Sequence, residues 1–501
     1  MPEELLLQIF LENIDNVYAF EPRRRFVLAD EQMRVRTLMN ICLASKACHR
    51  IAAPLLYKKF MHYPEPSRLL HREQRTILFL KSILANPQNA LELEHLKVPF
   101  WATFGDVRDG SADFCDLMVD RALLPAQRSH FAWVAEQLRL HGRCGENIGN
   151  ALKIEWEGAV LAMLLLLCPN ISKLELLLPD TTCRAGVFRR AIPSAPHGSV
   201  RFALDAGGQD RDIGPPSSSA KDRTVVLSSM WQPPILRGLT EATLVEAGNG
   251  NNAEKWMRSI ISLPSISKLR VGRLAGRFRF APKIPHIRSL QLDDCKMSII
   301  DLECLLRMCP SLSTLKIGWH PKFSQAILPI DSPLLAFINF LSKRAPALTK
   351  LTVKNNCRPP QNPDGSFRWN VGENIRTLGH LTSLSVREPS LWGYDTDAEI
   401  FDVLPPTLVD LKIARRRHDL PEDFAAAAYS EWTARHDVEL RILALDPGFL
   451  NLRLITVSYE RADHAPRIKS DEQLKEHGWT VSVNEKPSGA GKLTLKRARQ
   501  P

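Results

Sequence analysis

The chain has 501 residues, of which 44% are apolar, 24% charged and 7% aromatic. This balance is that of a globular protein, and it excludes a wholly disordered, collagen-like or multi-span membrane chain. Lysine and arginine outnumber aspartate and glutamate by 66 to 55, and the resulting net charge of +11 permits an acidic partner without requiring nucleic acid. The ten cysteines include no C-x-x-C pair, so we expect reduced thiols that are mostly buried.

The N-terminus predicts a short amphipathic helix. Residues 1–13 read MPEELLLQIFLEN, and their apolar side chains recur at helical spacing after Pro2, a residue favoured in the first turn of helices. Glu3 and Glu4 replace the basic flank of a signal peptide, so we expect no export and no membrane partner, and a location in the cytoplasm, the nucleus or both.

Two further helices are predicted shortly afterwards. Residues 16–34 are polar and predict a long connecting loop, whereas residues 38–60, LMNICLASKACHRIAAPLLYKKF, have the apolar spacing of two helices.

One pattern, L-x-x-L-x-L with aliphatic substitutions, recurs through most of the remaining chain. Its three anchor positions fall on one face of a strand, because alternate residues of a strand point to the same side. The copies are Leu93-Leu96-Val98, Ile171-Leu174-Leu176, Leu239-Ala242-Leu244, Ile266-Leu269-Val271, Ile287-Leu290-Leu292, Leu312-Leu315-Ile317, Leu348-Leu351-Val353, Leu381-Leu384-Val386, Leu408-Leu411-Ile413 and Leu452-Ile455-Val457.

Helical segments precede several copies of the pattern. Before Leu312, apolar residues at helical spacing run to Met308, and Pro310 separates that helix from the strand. No single unit of helix, proline and strand can bury its apolar side alone, so the units must stack. The sequence therefore predicts an α/β fold in which a helical N-terminal region is followed by a curved solenoid.

Two segments depart from this pattern. Residues 184–229 are rich in proline, glycine, serine and arginine and predict a flexible insertion in the solenoid. The basic end of the chain, residues 488–501, predicts a frayed tail.

Catalytic motifs are not evident. Residues 488–493, SGAGKL, are similar to a phosphate-binding loop, but Lys486 stands where its first glycine belongs and Leu493 where serine or threonine belongs. Cys304 and Cys309 lack a second ligand pair at zinc spacing, and we interpret them as packing residues. We therefore expect a non-enzymatic protein with no cofactor and no metal.

Residues 2–60 resemble the F-box. They contain its Pro-Glu-Leu opening, a Ser-Lys pair and a Pro-Leu-Leu-Tyr ending in the right order, although Met1 replaces the usual leucine, the loop is long and Cys48 replaces an aromatic residue. The resemblance implies docking to the Skp-family adaptor of a cullin-RING ubiquitin ligase. The implied adaptor-binding residues are Pro2, Leu5, Ile9, Leu38, Leu43, Ser45 and Lys46.

The repeated units resemble irregular, fungal-like leucine-rich repeats, which follow the F-box in one family of ubiquitin-ligase subunits. The implied layout is an F-box at 1–60, a helical linker at 61–90, repeats at 91–460 and a C-terminal extension with a basic tail at 461–501. In that family the repeats bind the protein that is ubiquitinated for proteasomal degradation. The candidate substrate-binding residues lie between the anchors: Lys268, Arg270, Arg288, Gln291, Lys316, Lys350 and Lys412. Because most of them are basic, an acidic or phosphorylated substrate is one hypothesis.

Two alternatives stay open at this point. The N-terminal leucines could merely cap the open end of the solenoid, which would make the chain an interaction scaffold that joins no ligase. The basic residues between the anchors could equally form an ordinary solvated surface.

Overall fold

A computed structural model describes part of the chain and divides it into two compact units, Met1–Ile266 and Ser267–Pro501. The predicted insertion at 184–229 and the N-terminal helix lie outside the described residues. The described residues are 24–61, 72–98, 164–165, 167–178, 236, 238–246, 260–261, 263–272, 286–295, 299–319, 333–355, 375–387, 400–415, 426–460, 465–466, 468 and 472–498.

Two packed helices open the described part of the first unit, α1 at Arg24–Ala44 and α2 at Lys46–Tyr57. Residues 24–34 were expected in a loop, and this expectation is wrong because they belong to α1. The polar stretch also contains residues that favour helices, such as Arg25, Ala29 and Glu31, so its polarity does not prevent α1 from forming. Ser45 separates the two helices.

Four parallel strands follow α2 in the first unit. Each strand pairs with the next one along the chain, so the order of strands in space is the order in sequence. The strands are β1 at Lys59–Met61, β2 at His95–Val98, β3 at Lys173–Leu178 and β4 at Glu241–Glu246, and the helices α3 at Arg72–Ala85 and α4 at Gln88–Glu92 lie between β1 and β2. The sequence pattern missed β1, which begins one residue after α2 ends.

Seven more strands continue this parallel arrangement within the second unit, again in chain order. They are β5 at Lys268–Gly272, β6 at Ser289–Cys295, β7 at Thr314–Trp319, β8 at Lys350–Asn355, β9 at Ser383–Arg387, β10 at Asp410–Arg415 and β11 at Leu454–Tyr459. The helices between or after them are α5 at Ile299–Met308, α6 at Pro333–Arg344, α7 at Ile400–Val403, α8 at Ala426–Leu445 and α9 at Glu472–Glu476.

The anchors of the repeated pattern form the cores of both units. Every anchor residue of the ten copies is at most 3% exposed. Burying an aliphatic side chain of this kind contributes about 1.5–3 kcal/mol, so the anchors supply a substantial part of the hydrophobic stabilisation. The predicted α/β fold, with N-terminal helices followed by stacked repeat strands, is confirmed.

A hydrogen-bond ladder joins successive repeats just before each strand. The carbonyl of the residue that follows the first anchor accepts two backbone N–H bonds from the next repeat; Ser313, for example, accepts from Thr349 and Lys350, both at 2.9 Å. In several repeats a side-chain hydroxyl adds a further bond, as when Thr349 Oγ1 donates to the Ser313 carbonyl at 3.0 Å and Thr382 Oγ1 to the Thr349 carbonyl at 3.1 Å. Serine and threonine at this position therefore fasten one repeat to the next.

An antiparallel hairpin ends the second unit, and it corrects the expectation of a frayed tail. The hairpin consists of β12 at Trp479–Glu485 and β13 at Gly491–Arg497, and β13 pairs with β11. Residues 486–490 form its turn, so the sequence similar to a phosphate-binding loop runs from this turn into β13. The indole Nε1 of Trp479 donates to the Ala444 carbonyl at 2.9 Å and so ties the hairpin to α8.

One buried ion pair also supports this end of the chain. Arg415 at the end of β10 has a fully buried side chain, and its Nη2 lies 2.6 Å from Asp437 Oδ1 on α8. This pair joins α8 to the end of β10 through a buried charged contact.

Candidate protein-binding surfaces

The helix pair of the first unit exposes large apolar side chains. On α1, Met39 and Leu43 lie one turn apart and are 51% and 83% exposed, and Met33 is 52% exposed. Residues four apart on a helix point to the same side, so Met39 and Leu43 form one apolar patch. Such exposed apolar side chains are available for contact with a partner.

Ser45 and Lys46 begin α2 beside this patch. Ser45 is the N-cap of α2, because its Oγ accepts the backbone N–H of Cys48 at 3.1 Å. A serine at this position satisfies one of the amides that a helix start leaves unpaired. Lys46 is exposed next to it.

The predicted adaptor-binding residues therefore differ in their surroundings. Leu43, Ser45 and Lys46 are exposed, whereas Leu38 is completely buried and packs within the first unit. Contact of Leu38 with an adaptor stays a prediction. Pro2, Leu5 and Ile9 lie outside the described residues. Met39 was missed by the sequence reasoning, although its spacing of four residues from Leu43 would have pointed to it.

The second candidate surface, here called the polar strand face, consists of the side chains that alternate with the anchors on β5–β10. Strand register sets them in two rows, because each residue lies beside its partner on the next strand. One row is Lys268, Ser289, Thr314, Lys350, Ser383 and Asp410, and the other is Arg270, Gln291, Lys316, Thr352, Ser385 and Lys412.

The structure brings six of the seven predicted substrate-binding residues onto this face. Arg288 is the exception: it precedes β6, its side chain is exposed, and its carbonyl takes part in the ladder between repeats. Strand alternation places the others in two rows of one surface, which is the arrangement that a bound protein segment could contact.

Two carboxylates already occupy part of the face. Asp293 Oδ2 accepts from Arg270 Nε at 2.8 Å and from Gln291 Nε2 at 2.5 Å. Asp410 Oδ2 lies 2.8 Å from Lys412 Nζ. Arg270, Gln291 and Lys412 are thus partly engaged within the chain.

Lys316 stands in a different environment. Its pKa is lowered, first because the side chain is partly buried and then because the positive charge of Lys354 lies close by; Asp293 opposes this shift. Lys354, on β8, comes directly after Val353, the last anchor of its copy, and sequence reasoning missed it because it does not lie between anchors. Among the described residues, neither lysine has a carboxylate within 4.0 Å of its ammonium group.

On the strands of the first unit, one carboxylate contacts several basic side chains. Glu175 on β3 lies 2.8 Å from Lys97 and 3.1 Å from His95 Nε2 on the neighbouring strand, and 3.5 Å from Lys173. Burial raises the pKa of Glu175, but hydrogen bonds from His95 and Lys97 lower it more, and the net pKa lies well below the usual range.

Other chemistry is not suggested by the described part of the chain. No group of three or more His, Cys, Asp or Glu side chains is arranged there to hold a metal ion. No helix there is both long and apolar enough to cross a membrane. Burial raises the pKa of the Cys168 and Cys309 thiols to about 12, which is the behaviour of packing residues.

Helices and parallel strands that follow one another in chain order, with buried aliphatic anchors and a polar strand face, are consistent with leucine-rich repeats. Residues 227–386 match the family model described as FBD-associated F-box protein At5g56370, LRR repeats. The match confirms the predicted resemblance to the leucine-rich repeats of F-box proteins, and residues 1–60 lie outside it. A comparison with curated proteins finds no match.

Proposed function

We propose that this chain is the substrate-recognition subunit of an SCF-type cullin-RING ubiquitin ligase. The helix pair α1–α2 docks the Skp-family adaptor, and the polar strand face holds the protein to be ubiquitinated. Such proteins are typically non-catalytic adaptors, so binding and positioning are the whole of the activity proposed here.

The exposed patch of Met39 and Leu43 carries this proposal. A leucine that only capped the repeats would be covered by them, whereas Leu43 is 83% exposed on the helix that precedes the Ser45 cap. The match of residues 227–386 supplies independent support, because that family model describes the leucine-rich repeats of an F-box protein.

The connection between the helix pair and the first strands of the same unit supports the adaptor-docking part of this assignment. Lys58 alone separates α2 from β1, and the Lys58 carbonyl accepts the backbone N–H groups of Glu94 at 2.9 Å and His95 at 3.1 Å. Phe79 of α3 stacks on Phe60 with ring centroids 4.1 Å apart. A partner bound to the helix pair is therefore held in a fixed orientation to the first strands.

The test is a pull-down of the full chain with the purified Skp-family adaptor. We expect Leu43→Asp to reduce adaptor binding at least tenfold, because a charge would be buried at the interface. Leu5→Asp combined with Ile9→Asp tests the part of the predicted F-box that precedes α1. Circular dichroism of each variant separates lost docking from lost folding.

Ile300→Asp is the matched control, since Ile300 is 72% exposed and lies on α5 in the second unit. It should leave adaptor binding unchanged. A folded wild-type chain that does not bind the adaptor contradicts the proposal and favours a leucine-rich-repeat scaffold that joins no ligase.

A further inference from the structure

Among the described residues, one part of the polar strand face carries more positive than negative charge. Lys316 and Lys354 lie diagonally across the neighbouring strands β7 and β8, because Lys316 pairs with Thr352 and Lys354 with Gly318, and Arg270 contributes a further positive charge nearby. Asp293 brings a negative charge to Lys316, but it is already bound by Arg270 and Gln291. Two neighbouring ammonium groups repel each other, so an added anion would stabilise the pair.

The neighbouring residues complete a small anion-binding arrangement. Thr352 pairs with Lys316 in the strand register and lies two residues before Lys354, on the same face of β8. Its hydroxyl has no hydrogen-bond partner within the described ranges. Gly318 lies beside Lys354 in the strand register and has no side chain that could crowd it. A Cβ atom at Gly318 would lie 3.3 Å from the Lys354 carbonyl oxygen.

We propose that Lys316, Lys354 and Thr352 bind the phosphate of a phosphoserine or phosphothreonine in the substrate. This inference rests on the proposed function, because it assigns a substrate class to the polar strand face. A phosphate monoester carries about −1.5 to −2 charges at neutral pH, which matches two ammonium groups, whereas a carboxylate neutralises only one. Its oxygens also accept charge-assisted hydrogen bonds from lysine and a further bond from the threonine hydroxyl.

The experiment uses fluorescent peptide pools with a fixed central phosphoserine and degenerate flanks. Matching pools carry serine or aspartate at the centre. Fluorescence anisotropy with the full chain gives the affinity for each pool. We expect the wild type to bind the phosphoserine pool about tenfold more tightly than either of the others.

Three double variants make the test specific to the site. Lys316→Gln with Lys354→Gln should abolish the phosphoserine preference, while Lys316→Arg with Lys354→Arg should retain it because the charges remain. The matched control is Lys343→Gln with Lys475→Gln, which removes two positive charges from the exposed surfaces of α6 and α9. The control should bind as the wild type does.

Three results would overturn the inference. The wild type could show no preference for the phosphoserine pool, or the aspartate pool could bind as tightly as the phosphoserine pool. The third is a control variant that loses as much affinity for the phosphoserine pool as the variant with Lys316→Gln and Lys354→Gln. Adaptor pull-downs on the same preparations distinguish this failure from failure of the proposed function. If the chain binds the adaptor but shows no preference for phosphoserine, only the phosphate site is contradicted. If it prefers phosphoserine but does not bind the adaptor, only the ligase role is contradicted.

Discussion

At the scale of single residues, the buried ion pair of Arg415 should have a clear effect on the free energy of unfolding. Its guanidinium is fully buried, and Asp437 supplies the partner charge at 2.6 Å. Removing one member of a buried pair leaves the other charge without compensation, which costs more than the pair contributes. We expect Asp437→Ala to lower the free energy of unfolding by about 3 kcal/mol, measured by urea denaturation.

Arg307→Ala is the control for that measurement. Arg307 is 52% exposed and pairs with Glu303 one turn away on α5. Exposed pairs of this kind contribute about 0.3–0.5 kcal/mol, because water screens the charges. Equal losses in the two variants would contradict the role given to the buried pair.

Glu175 provides a test of acid stability. Its pKa is lower in the folded chain than in the unfolded one, so its ionised form stabilises the fold above pH of about 4.3, and this contribution falls as the pH drops below that value. We expect Glu175→Gln to be less stable than the wild type by about 1 kcal/mol at pH 7. The difference should shrink between pH 5 and pH 3 in urea denaturation series. A difference that is constant with pH would show that the carboxylate charge is not responsible.

Among elements, the strands depend on the ladder of serine and threonine hydroxyls between repeats. Thr349→Val keeps the shape of the side chain but removes its bond to the Ser313 carbonyl, and we expect a loss of about 1 kcal/mol in unfolding free energy. Ser342→Ala is the control, because Ser342 bonds only to the Asn339 carbonyl of its own helix. Similar losses in both variants would show that the ladder contributes nothing beyond a local hydrogen bond.

The sequence predicted these strands well because aliphatic anchors at fixed spacing demand burial on one side. It missed β1, since Lys59–Met61 is too short to contain the three anchors. It missed the final hairpin because β12 and β13 alternate apolar and polar residues without the full pattern. It also missed that Lys316 and Lys354 lie near each other, because strand register brings together residues that are far apart in sequence.

The helical N-terminal region shows the same limit. The sequence located two helices and their Ser45 boundary, but it could not separate buried Leu38 from exposed Leu43, since both fit the apolar spacing. Which side of a helix is covered depends on what packs against it. That information is absent from a single helical pattern.

At the scale of the chain, the C-terminal hairpin determines how the second unit ends. Without it, β11 would expose unpaired backbone groups along a sheet edge, and such edges pair with other chains. We expect a chain lacking residues 472–501 to self-associate more strongly with rising concentration than the full chain, as measured by light scattering after size-exclusion chromatography. Identical elution and mass for both chains would contradict this role of the hairpin.

The single residue between α2 and β1 has an evolutionary consequence. The ten repeat copies begin at irregular intervals, so insertions between strands have been accommodated repeatedly along the chain. An insertion at Lys58 would instead displace its carbonyl from the amides of Glu94 and His95 and turn the helix pair away from the strands. Related chains should therefore vary in length between most repeats and keep one fixed length from Tyr57 to Lys59.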